Sequence, residues 1–176
     1  MATMVKALAE GDGIRTENSN FARELLSKGQ FGTLLDDGRI QLSALETVYL
    51  IAKKRLKLLN VKNKPIGLDA FIARVRRKDK DFWTRYAVFK DLRDSGYVVK
   101  TALKFGADFR VYDRGARQGE EHAKWIAFPV SEHKQLAWRD FSAKNRVAHS
   151  TKKKLLICVV DDEGDVSYWE VGWLRP

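Results

Sequence analysis

The 176-residue chain predicts an α/β protein of the α+β kind. A small N-terminal α/β domain (residues 1–80) comes first, and a C-terminal domain (residues 81–176) follows, built on a central mixed sheet flanked by helices. Three observations lead there. Short strand-like runs and helical spacings alternate through the first eighty residues. A basic stretch, Arg74 to Lys80, then breaks the pattern and marks the domain seam. Beyond Gly96 apolar strand runs dominate, with few helical segments between them.

The elements follow in order. Val5 to Thr16 reads as a strand pair interrupted by Gly11 and Gly13. Asn18-Ser19-Asn20 offers helix caps, with Phe21, Leu25 and Leu26 as the apolar face and Gly29 as the stop. Phe31 to Leu42 reads as a hairpin around Asp37-Gly38, a favoured tight turn. Ser43-Ala44-Leu45-Glu46 is a capping box opening a helix that carries Leu45, Val48, Tyr49 and Ala52 and closes on Lys53, Lys54 and Arg55. Lys62 to Gly67 is a loop, and Leu68 to Val75 a short helix. A longer helix from about Asp81 to Ser95 lines up Phe82, Tyr86, Phe89 and Leu92, and Gly96 ends it. Tyr97 to Lys100, Asp108 to Tyr112 and Trp125 to Val130 read as strands. Glu132 to Ser142 holds a short helix ending near Lys144-Asn145. Leu155 to Val160 and Val166 to Val171 form a last strand pair about the acidic turn Asp161 to Asp165.

Composition narrows the function classes. Net charge is +10, with 33 Lys+Arg against 23 Asp+Glu, which favours a polyanionic partner over a neutral one. No polybasic amphipathic helix points to a membrane surface, and no apolar run is long enough to span one. The N-terminus lacks the apolar core of a signal peptide. The single Cys158 sits in an apolar run and reads as a small buried hydrophobe, so a reducing, cytoplasmic setting is expected. The three histidines lie far apart in sequence and there is no Cys pair, so neither a metal site nor a cofactor is expected. A metal-dependent DNA nuclease would need an Asp/Glu cluster that the spacing does not offer.

Tyr112, His122 and the run Lys152-Lys153-Lys154 are the candidate chemistry. Tyr112 ends a strand and precedes a Gly- and Arg-rich loop, a common position for catalytic side chains; alone it also reads as an ordinary strand-edge tyrosine. A phenol is a poor base near neutrality unless nearby cations assist it. An imidazole exchanges protons in that range, so His122 suits acid–base work, although an exposed or capping histidine would look the same. One lysine of the run could face a site, and spacing does not say which. A base, an acid and a cation together are what breaking an RNA phosphodiester without a metal requires. His149 reads as structural and His133 as a surface residue. Arg146, Trp138, Trp169 and Trp173 are candidates for stacking on unpaired bases, with most of the five tryptophans expected in the core. The turn Asp161-Asp162-Glu163-Gly164-Asp165 reads either as a plain hairpin loop or as a plug for a basic groove on another subunit.

Taken together these residues resemble the archaeal tRNA-splicing endonuclease family. The blocks that carry the resemblance are Leu92 to Lys100, Lys104 to Tyr112, Glu121 to Lys124, Arg146 to Ser150 and Val159 to Val166, with a looser match through Ala22 to Leu25 and Leu42 to Glu46. The resemblance implies a nuclease-like C-terminal domain and a catalytic triad of Tyr112, His122 and Lys153: general base on a ribose 2′-OH, general acid to the 5′-oxygen, and stabiliser of the transition state. It implies metal-independent excision of introns from precursor tRNA at a bulge–helix–bulge, leaving 2′,3′-cyclic phosphate and 5′-OH ends. Arg146 matches one of the two arginines with which the family clamps a bulged base. Trp173 stands near the second position, with Arg175 close by. The acidic loop (Asp161, Asp162, Glu163, Asp165) is implied to dock between subunits of a tetramer, formed with itself or with a non-catalytic sister chain. The alternative is a non-catalytic RNA-binding or structural subunit of such a complex.

Overall fold

Val5–Glu10 (β1) and Gly13–Thr16 (β2) form the expected antiparallel pair. In the computed structural model, which describes residues 4–11, 13–102, 107–117, 119 and 121–174, the chain divides into a unit of residues 1–80 and a unit of residues 81–176. Lys104, Phe105 and Gly106, within one of the blocks that carry the resemblance, and Arg175 lie outside the described residues.

The first unit carries a five-stranded mixed sheet in the order β3-β4-β2-β1-β5. Thr33–Leu34 (β3) and Ile40–Leu42 (β4) make the predicted hairpin, whose turn puts Gly38 at φ +81°. Helix Asn20–Ser27 (α1) starts on Ser19, whose hydroxyl accepts from Ala22 N at 3.2 Å. Its buried face is Ala22 and Leu25, while Phe21, expected inside, points outward. Helix Ala44–Ala52 (α2) has the full capping box between Ser43 and Glu46. The buried Glu46 also accepts from Gly32 N at 2.8 Å, tying the hairpin to the helix start.

Two elements differ from expectation. Leu56–Asn60 (β5) is a strand pairing parallel to β1, from Val5↔Leu56 to Ala9↔Asn60. Its short Leu-rich run follows a basic helix end without a turn residue, so no local signal separates it. Helix Leu68–Lys78 (α3) runs through the basic stretch expected to lie beyond it, because Arg76, Arg77 and Lys78 are good helix formers and complement the helix C-terminus.

The second unit is also built on a five-stranded mixed sheet, β10-β9-β8-β7-β6. Its strands are Tyr97–Thr101 (β6), Phe109–Arg114 (β7), Trp125–Ser131 (β8), Lys154–Val160 (β9) and Val166–Val171 (β10). All neighbours are antiparallel except β8 and β9, which run parallel from Trp125↔Lys154 to Ser131↔Val160. A parallel pair needs a crossover, and helix Trp138–Ser150 (α5) supplies it. The expected helix at Glu132 to Ser142 is therefore misplaced by about two turns. Residues 132–137 form a turn and a non-helical approach, and the helix carries Arg146 and His149 near its C-terminal end.

Strand alternation covers both faces of this sheet. Ile126, Phe128, Leu155 and Ile157 cluster with Ala148 of α5. The opposite face carries Cys158 and its register partner Tyr168, whose hydroxyl donates to Asp91 at 2.6 Å. Asp91 belongs to helix Phe82–Asp94 (α4), whose buried residues Phe82, Tyr86, Phe89 and Leu92 are those expected. Full burial of each large apolar side chain here contributes about 1.5–3 kcal/mol. Burial also pushes the Cys158 thiol far up, consistent with the inert hydrophobe expected from sequence. The tryptophans correct an expectation: none of the five is in the core, and Trp138 is 81% exposed.

Candidate active site

One chain of backbone hydrogen bonds crosses three strands at one end of the second sheet. Lys124 N donates to Val111 O at 2.9 Å, and Lys154 N donates to Lys124 O at 3.0 Å. Tyr112 follows Val111, His122 lies two residues before Lys124, and Lys153 immediately precedes Lys154. The three candidate residues are thus brought to the same end of neighbouring strands from positions up to forty-one apart in sequence.

Tyr112 is 7% exposed and packs with Val98, Ala116 and Ala123, the last being the neighbour of His122. The pairing of β6 with β7 shifts register beside it: Val98 faces Tyr112 while Tyr97 faces Arg114, so Asp113 is the extra residue of a bulge. Asp113 pairs with Lys124 at 3.6 Å, joining the end of β7 to the entry of β8. His122 is exposed.

Lys153 is placed by the end of α5. Lys152 N donates to His149 O at 3.0 Å and Lys153 N to Ala148 O at 2.8 Å, with Lys152 at φ +56°. That is a Schellman ending with a lysine in the left-handed position usually taken by glycine. The three lysines, indistinguishable in sequence, part company here. Lys152 makes the turn, Lys154 pairs with Glu170, and Lys153 is half-buried with its ammonium donating to Thr151 O at 2.8 Å.

Two of the base-stacking candidates, Arg146 and Trp173, reach the same end of the sheet. Val171 pairs with Leu155, so Trp173 emerges beside the start of β9. Its ring lies 4.9 Å from that of His149, and Arg146 stands one helical turn before His149 on α5. His149 is exposed, and its ring contact is with Trp173. Trp138 starts α5 at the far end of that helix from Arg146, and Trp169 is exposed on β10.

The acidic turn closes the opposite end of β9 and β10. Asp161 accepts from Glu163 N at 3.0 Å and Asp165 N at 2.8 Å, which shapes the loop, and Gly164 takes φ +88°. Asp162 is held from outside: His133 bonds it at 2.8 Å, and Glu132 accepts from its amide at 3.0 Å. The hydrogen bond and charge of Asp162 raise the His133 pKa above its ordinary value. The grouping of Glu132, His133 and Asp162 was not visible in the spacing of the histidines, because it joins two separate loops. A groove of about 530 Å³ runs beside the acidic turn, lined also by Trp83, Tyr86 and Lys90.

Comparison with known proteins identifies the family. Residues 82–168 match the model of the tRNA intron endonuclease catalytic C-terminal domain, and residues 5–72 match that of the N-terminal domain. The chain belongs to the tRNA intron endonuclease family. It is 37% identical over 172 residues to the tRNA-splicing endonuclease of Thermococcus kodakarensis, covering 98% of this chain and 99% of the relative. It is 38% identical to that of Methanothermobacter thermautotrophicus (94% and 96%) and 42% identical to that of Nanoarchaeum equitans (81% and 94%). As a member carrying the catalytic domain of this family, the chain is an enzyme, a tRNA-intron endonuclease. Among the described residues no helix is long and apolar enough to cross a membrane.

Two outcomes are expected. Lys152→Gly relieves the left-handed strain and raises stability by up to about 1 kcal/mol in thermal or denaturant unfolding. Replacing Lys153 by glycine brings no such gain. The His133 titration followed by NMR should have its midpoint above that of an ordinary histidine, and Asp162→Asn should return it to the ordinary range. Because the folded pKa is the raised one, the stabilising contact is fully present below the unfolded value of about 6.5 and is lost as pH rises through the folded value.

Proposed function

We propose that this enzyme excises introns from precursor tRNA at bulge–helix–bulge motifs by metal-independent internal transesterification. The observation that carries the reading is the convergence of Tyr112, His122 and Lys153 through the Val111–Lys124–Lys154 hydrogen-bond chain. Tyr112 takes the proton from the ribose 2′-OH at the cleavage site. The freed oxygen attacks the adjacent phosphorus, and the bond to the 5′-oxygen breaks. His122 gives that oxygen its proton, and the Lys153 ammonium stabilises the charge growing on the non-bridging oxygens. The products are a 2′,3′-cyclic phosphate and a 5′-OH. Base, acid and cation are all supplied by side chains, so no step needs a metal. Positioned electrostatics of this kind are commonly a large share of a rate enhancement.

Arg146 and Trp173 fit the role of gripping a bulged base, a guanidinium from α5 and an indole that contacts the same helix through His149. The acidic loop fits the role of a subunit plug in a tetramer, formed from this chain alone or with a sister chain. Asp161 is occupied within the loop and Asp162 with His133, which leaves Glu163 and Asp165 as the carboxylates best placed to meet a basic partner. A reducing, cytoplasmic compartment suits the one buried thiol.

The reading is tested by incubating the purified chain with a labelled bulge–helix–bulge RNA in EDTA and mapping the product ends. Cleavage at both bulges with cyclic phosphate ends is expected. His122→Ala should lower the rate by roughly 10²–10⁴-fold while leaving RNA affinity within a few-fold. Full activity in that variant, or cleavage only with added divalent metal, overturns the assignment. Neutralising Glu163 and Asp165 together should reduce the assembly mass in light scattering; an unchanged mass removes the loop from the interface.

A further inference from the structure

The formal charge of this chain is very unevenly placed. Eleven basic residues and two acidic ones fall between Lys53 and Lys80, a formal +9 out of +10 for all 176 residues. The unit holding the candidate active site has seventeen basic residues against fourteen acidic ones, only +3. Several of that unit's cations are also paired internally, as in Arg85–Asp108, Lys90–Asp94, Lys124–Asp113 and Lys154–Glu170. Most of the formal positive excess therefore belongs to the other unit.

Within the basic segment five cationic side chains are exposed on α3, just past it, and in the turn before it. Arg76 and Arg77 lie on the exposed arc of α3, opposite the buried Phe71 and half-buried Val75, and share that arc with Asp69, Ala70, Ala73 and Arg74. Lys80 is exposed just past the helix. Lys62 and Lys64 are exposed in the turn between β5 and α3. None of these five side chains has an acidic partner among the described residues, whereas Arg74 is committed to Gly11 O at 2.6 Å. The strip from the turn to the end of α3 extends on the order of 15–20 Å, enough to meet several phosphates. The apolar side of α3 is used inside its own unit through Phe71, so the helix has no free hydrophobic face for a lipid surface.

We infer that the outer face of α3 and the turn before it form a second RNA-binding surface, which holds the phosphate backbone of the substrate apart from the residues that cleave it. This inference rests on the reading of the substrate as precursor tRNA. The contacts are to phosphates, so they add affinity and salt dependence and carry no sequence preference. The catalytic unit then supplies recognition and chemistry, and the N-terminal unit supplies a large part of the attraction.

The test is the triple variant Arg76→Ala, Arg77→Ala, Lys80→Ala in the full chain, assayed on precursor tRNA. Alanine favours helix, so α3 should persist, and circular dichroism checks that it does. The dissociation constant is expected to rise at least roughly tenfold near physiological salt, and the log–log salt slope to become shallower by about two to three. The maximal rate at saturating RNA should stay unchanged. The charge-conserving pair Arg76→Lys, Arg77→Lys with Lys80 intact should keep most of the affinity. A folded triple variant with unchanged affinity and salt slope overturns the inference. So does a loss of binding to phosphatidylglycerol vesicles with RNA affinity intact, which would assign the surface to lipid. Failure of the wild type to bind or cleave any precursor tRNA would instead overturn the substrate reading on which the inference rests.

Discussion

The parallel pairing of Trp125–Ser131 with Lys154–Val160 is the constraint on which the site depends. Parallel strands cannot be joined by a tight turn, so the chain must return over the sheet, and α5 is that return. The crossover delivers Lys153 at the start of one strand, beside the start of the other where His122 enters. Antiparallel pairing of β7 with β8 then places the end of β7, with Tyr112, at the same edge. Had these two central strands been antiparallel, their starts would lie at opposite ends of the sheet and His122 and Lys153 would be a strand length apart.

The same geometry separates two tasks. Strand starts and the end of α5 gather the groups proposed for proton transfer, with Arg146 and Trp173, at one end. The hairpin joining β9 to β10 puts the acidic turn at the other. The subunit plug proposed for that turn need not crowd the RNA proposed to bind at the opposite end. Local chemistry supports the division: the turn is shaped by Asp161 and held from outside by His133, while Lys153 is held by the backbone of a helix ending. Charge is divided as well, since the basic excess lies in the N-terminal unit while the catalytic unit is close to balanced.

Much of this was legible from sequence, for physical reasons that can be named. The capping box at Ser43, the Asp37-Gly38 turn and the apolar faces of α2 and α4 are local signals, and the structure bears them out. So are the β9–β10 hairpin and the buried cysteine. The elements that were missed have no local signature. Strand β5 exists because β1 offers it a parallel partner, and α5 starts late because its length is set by the span back to β9. The tryptophans were expected inside by their hydrophobicity, yet all five sit at edges, ends and helix surfaces, where an indole can meet something other than core.

Sequence alone determined the residue types available for chemistry, the two-part α+β organisation, the strongly basic balance and the family resemblance, because all of these reside in composition and short-range order. Only the tertiary structure decided which of three adjacent lysines makes the turn, which pairs with Glu170 and which is half-buried against Thr151 O. It also decided that Trp173 meets His149 and that His133 reaches Asp162 across two loops. These depend on strand register and on the way a helix ends. A one-residue change in either redirects a side chain completely, and no property of the isolated segment records it.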